Sequence, residues 1–239
     1  MLIFNCSKDA ARLLADPPQQ PIARPAADTP VPEDALHWHL SAVAINGIPC
    51  VLAMEARSRY CMVFTDVPEG GWRYLFEEFH QRWFNQMIEM ALHGGFLSET
   101  EIPPMLERLH QAHGEFCFVQ RHDNSVNTHL NHALDSFCYW CEDLGDLPFG
   151  HGQCSAFDEH VNDTLRKTRV HKDYFVPIEE MSHYWLTTWL GVSDQTARSY
   201  IRASYRERMQ QRFADAPGLN IPATEATSAA PPPANKTRH

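Results

Sequence analysis

Trp38-His39-Leu40-Ser41-Ala42-Val43-Ala44-Ile45-Asn46-Gly47-Ile48-Pro49-Cys50-Val51-Leu52-Ala53-Met54-Glu55-Ala56 is the stretch that decides the fold. Apolar, β-prone residues run from Trp38 to Ile45 and again from Ile48 to Ala56. Between them stands Asn46-Gly47, the dipeptide that best tolerates the positive φ angles of a type I′ turn. The pattern predicts a hairpin, with Pro49 near the start of the return strand or on an edge, where its missing N–H does no harm. Arg57-Ser58 turns the chain again, and Tyr60 to Thr65 reads as a third strand. These segments predict an antiparallel meander.

Further out, Leu2 to Cys6 and Glu115 to Gln120 read as two more strands of the same sheet, expected to be antiparallel throughout. From Trp72 to Leu92, Leu75, Phe76, Phe79, Trp83, Met87, Met90 and Ala91 recur at helical spacing. Gly94-Gly95 closes that helix, which is expected to lie across one face of the sheet. Other helices are predicted from a Ser7 cap to Leu14, from Pro103 to about His110, and from Val126 to Leu144 with Asn124 or Ser125 as cap. Three more are predicted over Phe157 to Lys167, Glu179 to Leu190 and Asp194 to Phe213, with Val170 to Pro177 extended and a loop at Pro148 to Gly152.

Asp16 to Glu33 carries Pro17, Pro18, Pro21, Pro25, Pro30 and Pro32, which predicts an extended, mobile loop. Beyond Pro217 the Ala/Pro/Thr-rich chain lacks material for a core and is expected to be disordered. The resulting fold class is α+β, an antiparallel meander sheet covered by helices. Residues 1–177 form the α+β domain, including the proline-rich loop 16–33; 178–213 form a helical extension, and 214–239 a disordered tail.

The 239 residues are 44% hydrophobic, enough for one sizeable core. A formal net charge of -10 argues against wholesale adhesion to nucleic acid or membrane. No apolar run is long enough to cross a bilayer. Met1 to Cys6 lacks the basic and apolar regions of an export signal, and the seven cysteines are an odd count, so reduced thiols in the cytoplasm are expected.

Asn5-Cys6-Ser7-Lys8, Trp38-His39, Arg59-Tyr60, Gln120-Arg121-His122-Asp123-Asn124-Ser125 with Asn131, and Val161-Asn162-Asp163-Thr164-Leu165 follow one another in this order. In order and spacing the chain resembles a bacterial family whose shared domain is of unknown function. That family opens with a strand ending Asn-Cys-Thr-Lys, continues with a Trp-His strand start and later shows an Asp-Arg-Ser-like turn into a helix. The resemblance spans roughly Met1 to Val176. It implies an α+β fold and no particular reaction; the proline-rich loop, the many histidines and the segment after Val176 depart from it.

Three constellations carry chemistry. In the first, Trp38, His39, Arg121, Asn124 and Asn131 are candidate ligand-binding residues. His39 or His122 with Asp123 are candidate catalytic groups, because an imidazole beside a carboxylate can move protons near neutrality. The competing reading is that Asp123, Asn124 and Ser125 make a turn and cap the helix. In the second, Cys138, Cys141, His151 and Cys154 offer four ligands for zinc if the chain between them folds back; otherwise they are buried thiols and no cofactor is expected. His110 with His113, and His129 with His132, are weaker metal pairs without a carboxylate motif.

The third is Trp185 to Leu190, Gly191 and Asp194 to Ile201, which resembles a helix-turn-helix. Arg198, Arg202 and Arg206 would form a nucleic-acid-binding stripe there, since like charges four residues apart need a counter-anion. A plain helical hairpin packed on the main body is the alternative. No phosphate loop, nucleophile elbow or dinucleotide fingerprint is present. The expectation is therefore a cytoplasmic, non-catalytic binding or regulatory module with a protein partner. A hydrolase using His39 or His122 with Asp123, and a nucleic-acid-associated regulator, are the alternatives; no membrane is expected as partner.

Overall fold

The computed structural model describes residues 1–15, 35–168 and 173–215, without the side chains of residues 209 and 211–215. The expected proline-rich loop, part of the extended Val170 segment and the tail from residue 216 fall outside them. In chain order the elements are β1 (Leu2–Cys6), α1 (Lys8–Leu14), β2 (Leu36–Ile45), β3 (Ile48–Glu55), β4 (Cys61–Thr65), α2 (Trp72–His93), α3 (Ile102–His113), β5 (Phe116–Gln120), α4 (Asn124–Leu144), α5 (Gly150–Asn162), α6 (Pro177–Thr188) and α7 (Asp194–Asp215). Residues 1–201 make one compact unit and the chain from Arg202 a second. The packing described below is that of the first.

The fold is α+β. Among the described residues its sheet has five strands in the order β4-β3-β2-β1-β5. β2, β3 and β4 form the antiparallel meander, with Asn46 (φ 52°) and Gly47 (φ 80°) at the first turn. The sheet as a whole is not antiparallel, however: β1 runs parallel to both β2 and β5. Parallel neighbours need a long return of the chain. In sequence, α1 and residues 15–35 separate β1 from β2, and α2 and α3 intervene before β5.

Both faces of the sheet are covered, so its strands read as apolar runs rather than as clean alternation. Leu2, Phe4, Cys6, Trp38, Leu40, Val51, Ala53, Met62 and Phe64 turn to one side, against α1, α2, α3 and α6. Trp38 is enclosed there by Phe79, Trp83 and Tyr60. Cys50, Leu52, Met54, Cys61 and Val63 turn to the other side, against Val126, Leu130, Phe137, Phe157 and Val161 of α4 and α5.

α5 begins seven residues before the Phe157 start expected from sequence, taking in Gly150, His151 and Gly152 of the segment read as loop, while Pro148 and Phe149 stay outside the helix. Glycine is tolerated in a first turn, and the Gln153 side chain accepts from Phe149 N–H at 2.8 Å. The longer helix brings Cys154, Phe157, Asp158 and Asn162 onto β4. Asp158 and Asn162 close that edge of the sheet. Asn162 accepts from Cys61 N–H and donates to Cys61 C=O, each at 2.6 Å. Asp158 accepts from Val63 N–H at 2.8 Å, and Arg82 of α2 donates to Val63 C=O and pairs with Asp158. Among the described residues, no helix is long and apolar enough to cross a membrane.

Candidate functional site

Adjacent parallel strands β1 and β5 send their chains to opposite faces. α1 follows β1 onto the Trp38 side, and α4 follows β5 onto the other. In open sheets the crevice beyond the carboxyl ends of strands that part in this way is where ligands settle. Here it is polar. The register sets Asn5 beside His39, and His37 lies two residues back on the same face. Arg121, His122 and Asp123 leave the end of β5 nearby.

Asp123 is the N-cap of α4: its Oδ1 accepts from Ser125 N–H at 2.8 Å and Val126 N–H at 3.0 Å. Burial works to raise its pKa, but those bonds and the charges of His39 and Arg59 outweigh it and hold the carboxyl below its usual range. His122 is exposed and held within its own segment, donating from Nε2 to Asn124 Oδ1 at 2.7 Å and accepting at Nδ1 from Asn127 at 2.5 Å.

His39 is only 5% exposed. Burial pushes its imidazole down to about 4, with His37, Arg59 and Arg121 adding to the effect against the pull of Asp123. His37 is lowered likewise, first by burial and then by Arg121 and Arg57. Arg59 (φ 59°) donates to Ala56 C=O and, at 3.0 Å, to Ser125 Oγ, which ties the β3–β4 turn to the start of α4. Asn5, 1% exposed, donates to Trp38 C=O and to His37 Nδ1, each at 3.3 Å. Three atoms of this group are enclosed without a hydrogen-bond partner: Asn5 Oδ1, His39 Nδ1 and Arg59 Nε.

The structure therefore brings Asp123 and Arg121 each within electrostatic reach of His39, while His122 and Asn124 lie exposed on either side of Asp123. No hydrogen bond joins His39 to Asp123. Trp38, one residue from His39, points through the opposite face into the core, and Asn131 lies exposed beyond the first turn of α4. Asn5, His37 and Arg59 belong to the group but escape a search for catalytic motifs. Strand parity was the available signal, since Asn5, His37 and His39 share one face at period two; Arg59 stood in the Arg-Tyr motif.

Cys141 and Cys154 lie in the apolar layer under α4 and α5, Cys138 is half-buried, and His151 Nε2 pairs with Glu78 at 2.6 Å. Among the described residues no three or more His, Cys, Asp or Glu side chains are grouped to hold a metal ion. Leu186, Ala197 and Ile201 pack together with Leu190 and Val192. Arg198 finds its counter-anion on its own helix, with Nε 3.1 Å from both Asp194 oxygens; Arg202 and Arg206 are exposed. His113 is buried and His110 exposed, while His129 is half-buried and His132 exposed.

Fold and site together define an α+β domain with helices on both faces and a polar group where β1 and β5 part. The family model described as Domain of unknown function (DUF6933) matches residues 3–180, the greater part of the chain, and the chain belongs to that family. No curated protein and no solved structure matches it.

Proposed function

We propose that this domain is a non-catalytic binding module that receives an acidic side chain of a protein partner at the carboxyl ends of β1 and β5. The carrying observation is that Arg59 Nε and His39 Nδ1 are enclosed without a hydrogen-bond partner beside Arg121; either can donate to a carboxylate, the imidazole as its Nδ1–H tautomer, whereas Asn5 Oδ1 only accepts. Buried polar atoms without partners cost free energy until something satisfies them. On a chain of net charge -10 the guanidiniums of Arg59 and Arg121 here outnumber the one carboxylate, Asp123, so the group favours an anion. A non-catalytic role is favoured because Asp123 is committed to capping α4 and His122 to Asn124 and Asn127.

The test is titration of the purified protein with an Asp/Glu-rich peptide and, separately, with inorganic phosphate, read by amide and imidazole chemical shifts. Saturable shifts at Asn5 and His39 with the peptide, weakened about tenfold in His39→Phe, are expected. Shifts with phosphate alone overturn the protein-partner reading, and shifts with neither probe overturn the site.

A further inference from the structure

The two edges of the sheet are finished differently. On β4, Asn162, Asp158 and Arg82 answer the outward backbone groups of Cys61 and Val63. β5 has no such cover among the described residues. Its register, Leu2 opposite Phe116, and the bond from Leu2 N–H to Glu115 C=O at 2.9 Å turn the backbone groups of Cys117 and Val119 toward β1. Those of Phe116, Phe118 and Gln120 therefore point away from the sheet. The strand Phe-Cys-Phe-Val-Gln is half-buried along its whole length and carries neither charge nor proline, so it lacks the usual devices against edge pairing.

We infer that β5 pairs with β5 of a second copy of this chain, antiparallel about a two-fold axis at Phe118, so that two sheets join into one. The occupant is indicated by the flanks. Glu115 and Arg121 stand symmetrically about Phe118, so this register places Glu115 opposite Arg121 of the partner subunit, and the reciprocal pair forms on the other side of the axis. Opposite charges facing each other across two strands stabilise the pairing, and like charges oppose it. Neither residue has an ion pair of its own among the described residues. Centring the axis on any other outward residue of β5 loses both matches.

Between the charged ends the pairing is uncharged: Phe116 meets the partner's Gln120, Cys117 the partner's Val119, and Phe118 its own counterpart. Phe116 and Phe118 already belong to a ring ladder with Phe76 and Phe4, which the second copy extends. The arrangement is isologous and closes at two subunits, whereas a parallel, head-to-tail pairing would leave an open edge for further growth.

Sedimentation equilibrium is expected to give twice 27.4 kDa for the full chain, a monomer for Glu115→Arg, and a dimer again for Glu115→Arg combined with Arg121→Glu. In hydrogen exchange, the amides of Phe116, Phe118 and Gln120 should gain protection with rising concentration in the wild type and lose it in Glu115→Arg. A wild type monomeric at every concentration, or a dimer indifferent to Glu115→Arg, overturns the inference. So does protection of those amides that ignores concentration, which would mean the chain's own residues or a different partner cover the edge. Arg121 also stands beside the ligand group, but neither mass nor exchange at β5 reports on His39, so the two readings are tested separately.

Discussion

Asn162 shows how much a single side chain carries in this fold. Its amide matches the donor and acceptor of Cys61 as a neighbouring strand would, and it is fully buried. Asn162→Ala strips both groups of their partner in a site water cannot reach. The expected loss is about 2–4 kcal/mol, since each unsatisfied buried backbone group costs roughly 1–3 kcal/mol; a urea denaturation midpoint measures it. Arg59 makes a different case. Its φ of 59° lies where a β-carbon is crowded, so its conformation is held by the guanidinium bonds to Ala56 and Ser125. Arg59→Ala loses those bonds and keeps the crowding, whereas Arg59→Gly loses the bonds and the crowding together. Glycine is therefore expected to be the more stable of the two by about 1 kcal/mol, the reverse of the order at an ordinary position. Equal midpoints for the pair would remove the strain argument.

At the scale of elements, α4 depends on the turn that leads into it. Asp123→Ala should cost about 1 kcal/mol by freeing the N–H groups of Ser125 and Val126, and Asp123→Asn much less, because an amide oxygen caps nearly as well. Thermal unfolding of the two variants separates capping from a charge requirement, since a purely electrostatic role predicts equal losses. This element also shows where sequence is informative. The meander was legible because Asn46-Gly47 fixes a turn and the flanking runs fix strand length, both local signals. The direction of β1 and β5 was not, because an apolar run carries no mark of its orientation, which depends on where helices and connections far along the chain return it. The cap at Asp123 and the edge mimicry of Asn162 share this division: a polar residue before a helix is readable, while a polar residue reaching another strand is not. For the site, the motifs drew attention to His39, Arg121 and Asp123, yet they also drew in Trp38, whose neighbouring position in a strand puts it on the opposite face. Asn131 lies outside the group for the same reason on a helix, next to the buried Leu130 but turned to solvent.

Over the whole molecule, the buried histidines tie stability to pH. His39, His80 and His113 are each pushed down to about 4, chiefly by burial. The neighbouring histidines His113 and His110 add to this at His80, and the N-terminal ammonium at His113. Above pH 6.5 folded and unfolded chains both hold these rings neutral, and they contribute no pH dependence. As pH falls from 6.5 toward 4, the unfolded chain takes up protons that the folded chain refuses. Stability then drops by up to about 1.4 kcal/mol per pH unit for each ring, and the loss levels off below 4. Asp158 and Glu55 work in the opposite sense. Burial raises both, Asp158 to about 7 against the pull of Arg82, so the folded state protonates first at these two sites and gains stability as pH falls. The wild-type curve sums these slopes with those of the other shifted groups, His37, His129 and Asp123 among them, and the difference between two proteins isolates one. His113 is enclosed by Trp83, Phe84 and Trp189 with neither ring nitrogen hydrogen-bonded, so leucine replaces it without stranding a partner. Between pH 7 and 4, His113→Leu is expected to lose about 3 kcal/mol less than the wild type, whatever its stability at pH 7, because 2.5 pH units of proton refusal are gone. Urea unfolding at half-unit steps of pH gives both curves. Parallel curves would mean that His113 takes its proton as readily in the folded chain as in the unfolded one, and the aromatic enclosure would then have no bearing on acid stability.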